Sequence, residues 1–133
     1  MTRYTVLVYV NVGEHSFHGY TPRAPLAEVG AFSVEAPDPH AAAEVMFAVG
    51  NKEVGPDADG TPYPLDVRSI SVGDLIRVDE TRERLFQPAQ RVWFYACAGV
   101  GWTEIPEPTN PIVELAGSIA TSRPASPDRE EQR

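Results

Sequence analysis

Pro37-Asp38-Pro39-His40-Ala41-Ala42-Ala43-Glu44-Val45-Met46-Phe47-Ala48-Val49-Gly50-Asn51 is the stretch in which start, period and stop agree. Asp38 is placed to accept hydrogen bonds from the first free backbone N–H groups of a helix. Pro39, at the first helical position, has no N–H to leave unpaired. Ala42, Val45, Met46 and Val49 recur at i, i+3, i+4 and i+7, and Phe47 extends this stripe over Ala43. Gly50-Asn51 reads as a left-handed stop. The spacing therefore predicts a helix over residues 38–50 with one apolar face, which needs a sheet to cover.

The sheet is legible on both sides of the helix. In Tyr4 to Val12, the residues Tyr4, Val6, Val8, Val10 and Val12 share one face, with Thr5, Leu7, Tyr9 and Asn11 on the other. This period of two marks a strand, and its half-polar second face places it inside a sheet. A Gly/His/Pro-rich loop, Gly13 to Pro25, precedes a second strand over Val29 to Ala36. Glu53 to Pro64, with Gly55-Pro56, Asp59-Gly60 and Pro62, reads as a mobile loop. In Arg68 to Val78, Gly73-Asp74 turns the chain into a strand ending near Val78. Asp79 to Gln90 reads as a hairpin connection. Arg91 to Ala98 is apolar on both faces and reads as the central strand. Gly99 and Gly101 bracket a bend, and Trp102 to Ile105 forms a short last strand.

These elements define an α+β fold: a mixed or antiparallel sheet of about five strands, packed by one main helix, with the aromatic segment holding Cys97 in its middle. Residues 1–105 form a single domain. Residues 106–120 are a Pro-rich, partly docked segment in which Ile112 to Leu115 adds one turn or an edge piece. Residues 121–133 lack the apolar side chains to offset their ordering entropy and read as a disordered acidic tail.

Composition narrows the function classes. The 133 residues suit one domain, and 42% of them are hydrophobic, enough for a core without staples. Net charge is −8, and residues 1–103 hold 8 of the 11 basic and 13 of the 19 acidic side chains, so the body and the tail are both acidic. Sequence-independent phosphate binding needs clustered cations, yet Lys52 is the only lysine. An arginine patch from Arg77, Arg82, Arg84 and Arg91 is the one local exception. With Cys97 as the single cysteine no intramolecular disulfide can form. No signal peptide or membrane-length apolar run is visible, so a cytoplasmic protein is the default expectation.

The candidate chemistry is sparse. His15 and His18 form a His-x-x-His pair in a loop, short of the three or four ligands a zinc site requires. Cys97 has no neighbouring base to lower its pKa and reads as a core cysteine. Ser69 and Ser71 before Gly73-Asp74 invite comparison with serine–lysine peptidases, but Lys52 lies upstream of both serines, the wrong order for a general base. No phosphate-binding Gly-rich loop is present. Trp93 and Trp102, with Tyr9 and Tyr95, offer aromatic faces that suit base stacking or, more simply, sheet packing. No catalytic residue, metal or cofactor is nominated.

Three blocks together resemble the YodL-like domain family, small domains that recur in bacterial mobile elements, plasmids and phages. They are Val45-Met46-Phe47-Ala48-Val49-Gly50-Asn51; Arg68-Ser69-Ile70-Ser71-Val72-Gly73-Asp74-Leu75-Ile76-Arg77-Val78; and the aromatic run from Trp93 through Gly101-Trp102 to Ile105. The Asp59–Pro64 insertion and the acidic tail depart from the family pattern. The resemblance implies a compact α+β module found near DNA-processing functions, with no established activity. Arg68, Ser69, Ser71, Asp74 and Trp102 are the positions it marks for a role, and Trp93 joins them through its aromatic face. Each has a structural alternative: Asp74 closing its turn, Arg68 pairing with a carboxylate, the serines bonding backbone.

Three functions are then expected in descending order. The first is a non-enzymatic accessory module of a mobile element that binds a protein partner through its sheet edge or acidic surface. The second is nucleic-acid binding by the arginine patch with Trp93 or Trp102. The third is a small-ligand or enzymatic site assembled from Arg68, Asp74, Tyr95 and Cys97.

Overall fold

Strand β1 (Thr2–Asn11) buries Tyr4, Val6, Val8 and Val10 on one face and leaves Thr5, Leu7 and Tyr9 half-buried on the other. It runs antiparallel to β2 (Leu26–Ala36) from Thr2 opposite Ala36 to Asn11 opposite Leu26, with a register shift between Val8 and Tyr9. The computed structural model describes residues 1–14, 18–80 and 91–114. Helix α1 (Pro39–Gly50) follows β2, and then come β3 (Leu75–Glu80), β4 (Arg91–Cys97), β5 (Trp102–Ile105) and β6 (Ile112–Val113). The fold is α+β, one helix on a six-stranded mixed sheet of order β5-β4-β3-β1-β2-β6. All pairs are antiparallel except β2 with β6.

The middle of the sheet is β1 and β3, not the aromatic segment expected there. β4 lies between β3 and β5, one place in from the edge. Its two-sided apolar character has another cause. Tyr95 and Cys97 face the main core under the helix, while Ala96 packs with Leu26 and Leu75 in a second cluster on the opposite face.

Helix α1 starts as its sequence dictates. The Asp38 carboxylate accepts the Ala41 N–H at 2.7 Å, with Pro39 at the first position. The buried ridge is Ala42, Ala43, Met46, Val49 and Gly50. Val45, expected in that ridge, is 38% exposed, because the helix is turned to put Ala43 and Gly50 against the sheet. The stop also differs. Asn51 has φ −98° and its side-chain amide donates to the Phe47 carbonyl at 2.8 Å, while Lys52 takes the positive φ of 61°.

The segment Glu53–Pro64, expected as a mobile loop, is fastened along the outer edge of β2. Asp57 accepts the backbone N–H groups of Ser33 (2.7 Å), Asp59 (2.9 Å) and Thr61 (2.7 Å), and the Ala58 N–H donates to the Ser33 carbonyl at 2.8 Å. Tyr63 is buried and stacks on Phe32 with ring centroids 5.8 Å apart. Ile112 and Val113 realise the expected edge piece as β6. The expected tail, residues 121–133, and the hairpin connection through Arg82 and Arg84 lie outside the described residues.

Gly50 is held by space rather than by backbone angle. A Cβ there would lie 2.6 Å from Ile70 Cγ1 and 3.4 Å from its Cβ, and Ile70 is fully buried. Gly50→Ala gains about 1 kcal/mol of helix propensity but overpacks the core at a cost of about 1–3 kcal/mol. The variant is expected to have a lower urea midpoint than the parent. In an Ile70→Ala background the same change should raise the midpoint, so a double-mutant cycle by urea denaturation checks both signs.

Candidate functional site

The block from Arg68 to Asp74 folds onto a single carboxylate. Asp74 is fully buried, and its oxygens accept the Asn11 N–H (2.7 Å), the Ser71 N–H (2.8 Å) and both terminal nitrogens of Arg68 (2.7 and 2.8 Å). Arg68 also donates to the carbonyls of Ser69 (2.9 Å) and Asn11 (2.9 Å) and to the Ser71 hydroxyl (3.0 Å). The hydrogen bonds to Asp74 raise the Arg68 pKa further, so its guanidinium stays charged. Every donor around the carboxylate is spent within the protein, and the cluster joins the end of β1 to the turn before β3. Its geometry is that of a structural clasp.

The nominated residues do not converge on one site. Arg68, Ser69, Ser71 and Asp74 form the clasp. Trp93 is half-buried at the other end of the sheet, edge-to-face with Tyr4 (6.2 Å) and with the Arg91 guanidinium 6.0 Å from its ring centroid. Trp102 is 8% exposed, edge-to-face with Phe47 at 6.2 Å, and its carbonyl lies 3.3 Å from His40 Nε2. Little of its ring is left exposed for a base to stack on.

Arg68, Asp74, Tyr95 and Cys97 share no cavity among the described pockets. Burial pushes the Cys97 thiol up from 9.0 to about 11, with the Asp74 carboxylate adding to the shift. Burial likewise pushes the Tyr95 phenol up to about 12. A cavity of about 330 Å³ does reach Cys97, but its walls are Glu44, Phe47, the 98–101 turn and Trp102. His40 lies near Glu44 (3.8 Å), and His15 lies outside the described residues. Among the described residues no three His, Cys, Asp or Glu side chains are placed to hold a metal, and no helix is long and apolar enough to cross a membrane.

A further concavity opens toward the β4–β5 end of the sheet face away from α1. Leu7, Arg77, Phe94 and Ile105 form one row across β1, β3, β4 and β5, all half-buried. After Ile105 the chain leaves β5 and crosses this face as a strap to reach β6 at the far edge. Asn110 anchors the strap: its side chain accepts the Tyr20 hydroxyl (2.6 Å) and donates to the carbonyls of Thr21 (2.8 Å) and Ala24 (2.9 Å). The strap leaves two adjoining cavities that share Arg77, Phe94 and Glu107. The larger, about 500 Å³, is bounded by Val92, Trp93, Glu104, Ile105 and Pro106; the smaller, about 190 Å³, by Tyr9, Leu75, Pro108 and Ile112. Arg77 donates to Asp79 at 2.8 Å, and that bond raises its pKa, with the Glu107 charge a smaller contribution. Arg77 is thereby neutralised, and Glu104 and Glu107 leave the rim negative.

Sequence reasoning passed over this groove. Its one visible signal was the half-apolar second face of β1 combined with the Pro106-Glu107-Pro108 run, which cannot continue a strand.

The architecture places the chain among small α+β domains with a one-helix mixed sheet. Comparison with known proteins finds no matching family model, no matching curated protein and no matching solved structure.

Two outcomes follow from these geometries. Removing Arg68 leaves the buried Asp74 charge uncompensated, so Arg68→Met is expected to cost about 3–5 kcal/mol. Arg68→Met with Asp74→Leu should recover much of that loss, both read by urea denaturation. The raised Cys97 pKa favours the neutral thiol in the folded state. Its contribution to stability is therefore whole below pH 9.0 and disappears as pH rises through about 11. At pH 8 the native thiol should react with a disulfide reagent at least about a hundredfold more slowly than the urea-unfolded chain.

Proposed function

We propose that the chain is a non-enzymatic binding module, an accessory protein of a mobile genetic element, which engages a protein partner through the strapped face of its sheet. The observation that supports this most is the groove of about 500 Å³ between Phe94, Ile105 and Pro106. It combines an apolar floor with a polar, charged rim, which is the anatomy of a docking patch. Its position is set by the end of β5 and by a strap anchored at Asn110, so it is a permanent feature of the fold. The mobile-element setting is carried by the three sequence blocks alone.

A nucleic-acid role draws less support. Arg68 is committed to Asp74, Arg77 to Asp79 and Arg3 to Glu35 and Asp59, while Arg91 lies 3.6 Å from Glu80. Arginines matched in this way add little net positive potential at a surface. Arg82 and Arg84 lie outside the described residues.

Site-directed photo-crosslinking in the cell that carries the gene tests the protein-binding reading. A photoreactive phenylalanine replaces Glu107 or Val92 in the groove, or Leu65, which is 88% exposed and outside it. The same discrete protein adduct is expected from positions 107 and 92, absent from position 65 and lost on adding Phe94→Glu. Groove positions that give no adduct, or an equal adduct from position 65, overturn the reading.

A further inference from the structure

We infer that the occupant of the groove is an extended, basic segment of the partner, which pairs with β4 beyond the point where β5 ends. This rests on the groove being the docking surface proposed above and adds the partner's chemistry to it.

The backbone of β4 sets the geometry. The Cys97 N–H donates to the Asp74 carbonyl (2.8 Å) and the Cys97 carbonyl accepts the Gly73 N–H (3.0 Å), so Cys97 bonds toward the β3 side. In an antiparallel ladder successive residues alternate in the side to which their N–H and C=O point. Ala96, Phe94 and Val92 therefore direct these groups to the β5 side. Phe94 opposite Ile105 is the last pair of that ladder, because the chain turns away at Pro106, which has no N–H to contribute. Val92 lies two residues further along, borders the groove and has no pairing strand on that side among the described residues. Its N–H and C=O form a one-residue template for strand addition.

Other parts of the sheet margin are partly blunted. On β2, the strand β6 covers Leu26 and Ala27, and Asp57 with Ala58 occupies Ser33. On β5, the Trp102 carbonyl faces His40 Nε2.

Charge then selects the segment. Glu104 and Glu107 stand on the rim of the groove, and Arg77, the one cation among its described lining residues, is held by Asp79. The chain as a whole carries −8. A segment alternating apolar and basic residues sets its apolar side chains on Val92, Phe94 and Ile105 and its cations on the other face, beside Glu104, which pairs opposite Tyr95, while Glu107 adds negative charge from the strap. An acidic segment meets like charge.

Three short capped peptides provide the test: valine alternating with lysine, with threonine and with glutamate. Each is titrated into the full chain and followed by amide chemical shifts. The lysine peptide should bind saturably, shift the Val92 and Ile105 amides and weaken with added salt. Glu104→Gln with Glu107→Gln should weaken it about tenfold. A lysine peptide N-methylated at alternate residues, on the edge that would pair, should lose binding while keeping its charge. If the N-methylated peptide binds as well as the parent, strand pairing is wrong. Equal binding of all three peptides in the groove overturns the basic preference but leaves the docking surface standing. No shift of groove amides with any peptide overturns this inference, while the crosslinking experiment separately decides the docking surface.

Discussion

A carboxylate with no exposed surface needs its charge answered inside the protein, and the Asp74–Arg68 clasp is how this chain does so. The two terminal nitrogens of Arg68 and the N–H groups of Asn11 and Ser71 leave the carboxylate no need of water. Such a pair is a poor source of net stability, since the desolvation of the buried carboxylate offsets much of the attraction to a guanidinium that stays partly exposed. Its effect is on arrangement. Any other alignment of β1 with β3 separates Asp74 from Asn11 and leaves a buried charge short of a partner. The same residue passes the constraint on, because its carbonyl accepts the Cys97 N–H and so aligns β4 as well.

Alignment decides what each face carries. With Tyr9 opposite Leu75, the residues Val6, Val8, Ile76 and Val78 all turn toward α1, and Leu7, Arg77 and Phe94 turn the other way. A one-residue slip would exchange these sets. One helix can cover only one face, yet the second face carries its own cluster of Leu26, Leu75 and Ala96 with Tyr9 and Ile105 packed against it. The strap covers that cluster incompletely. A single extended chain is narrower than the sheet it crosses, and the uncovered remainder is the pair of cavities around Phe94. The groove is thus the consequence of an apolar second face served by one strap.

What could be read from the sequence follows the range of the interactions involved. The helix and β1 are written in local period and capping, and the structure has them where Asp38, Pro39 and the Tyr4–Val10 alternation place them; β5 likewise falls at Trp102–Ile105. The position of β4 was misread because apolar residues on both faces signal coverage without saying what covers. A strap supplied from residues 106–111 leaves the same local pattern as a central position. The Glu53–Pro64 loop has the composition of a loose segment, but its order comes from Asp57 meeting Ser33, 24 residues away. At the nominated site, Asp74 closing a turn and Arg68 meeting a carboxylate were legible as local alternatives. The bond from Asn11 to Asp74 spans 63 residues and was not. Ser69 and Ser71 serve the same clasp, and Trp93 and Trp102 serve packing. No spacing in the sequence announces the groove, since its walls come from β3, β4, β5 and the strap together.

The acidic rim also bears on self-association. An open strand position beside an apolar floor is a hazard for edge-to-edge association, and sheets commonly defend such positions with charge. A second copy approaching the groove by the same surface brings its own Glu104 and Glu107 against the first pair. Four carboxylates, with no unpaired cation among the described lining residues, make that approach unfavourable, more so at low ionic strength, where screening is weak. The repulsion that excludes a second copy becomes attraction for a cationic strand, because both effects come from the same two side chains. Solubility and selectivity are therefore coupled here: a substitution that neutralised the rim to admit a neutral strand would at the same time expose Val92 and Phe94 to self-pairing. If the groove is the docking surface proposed above, a partner whose charge is opposite to the chain's own would satisfy both requirements.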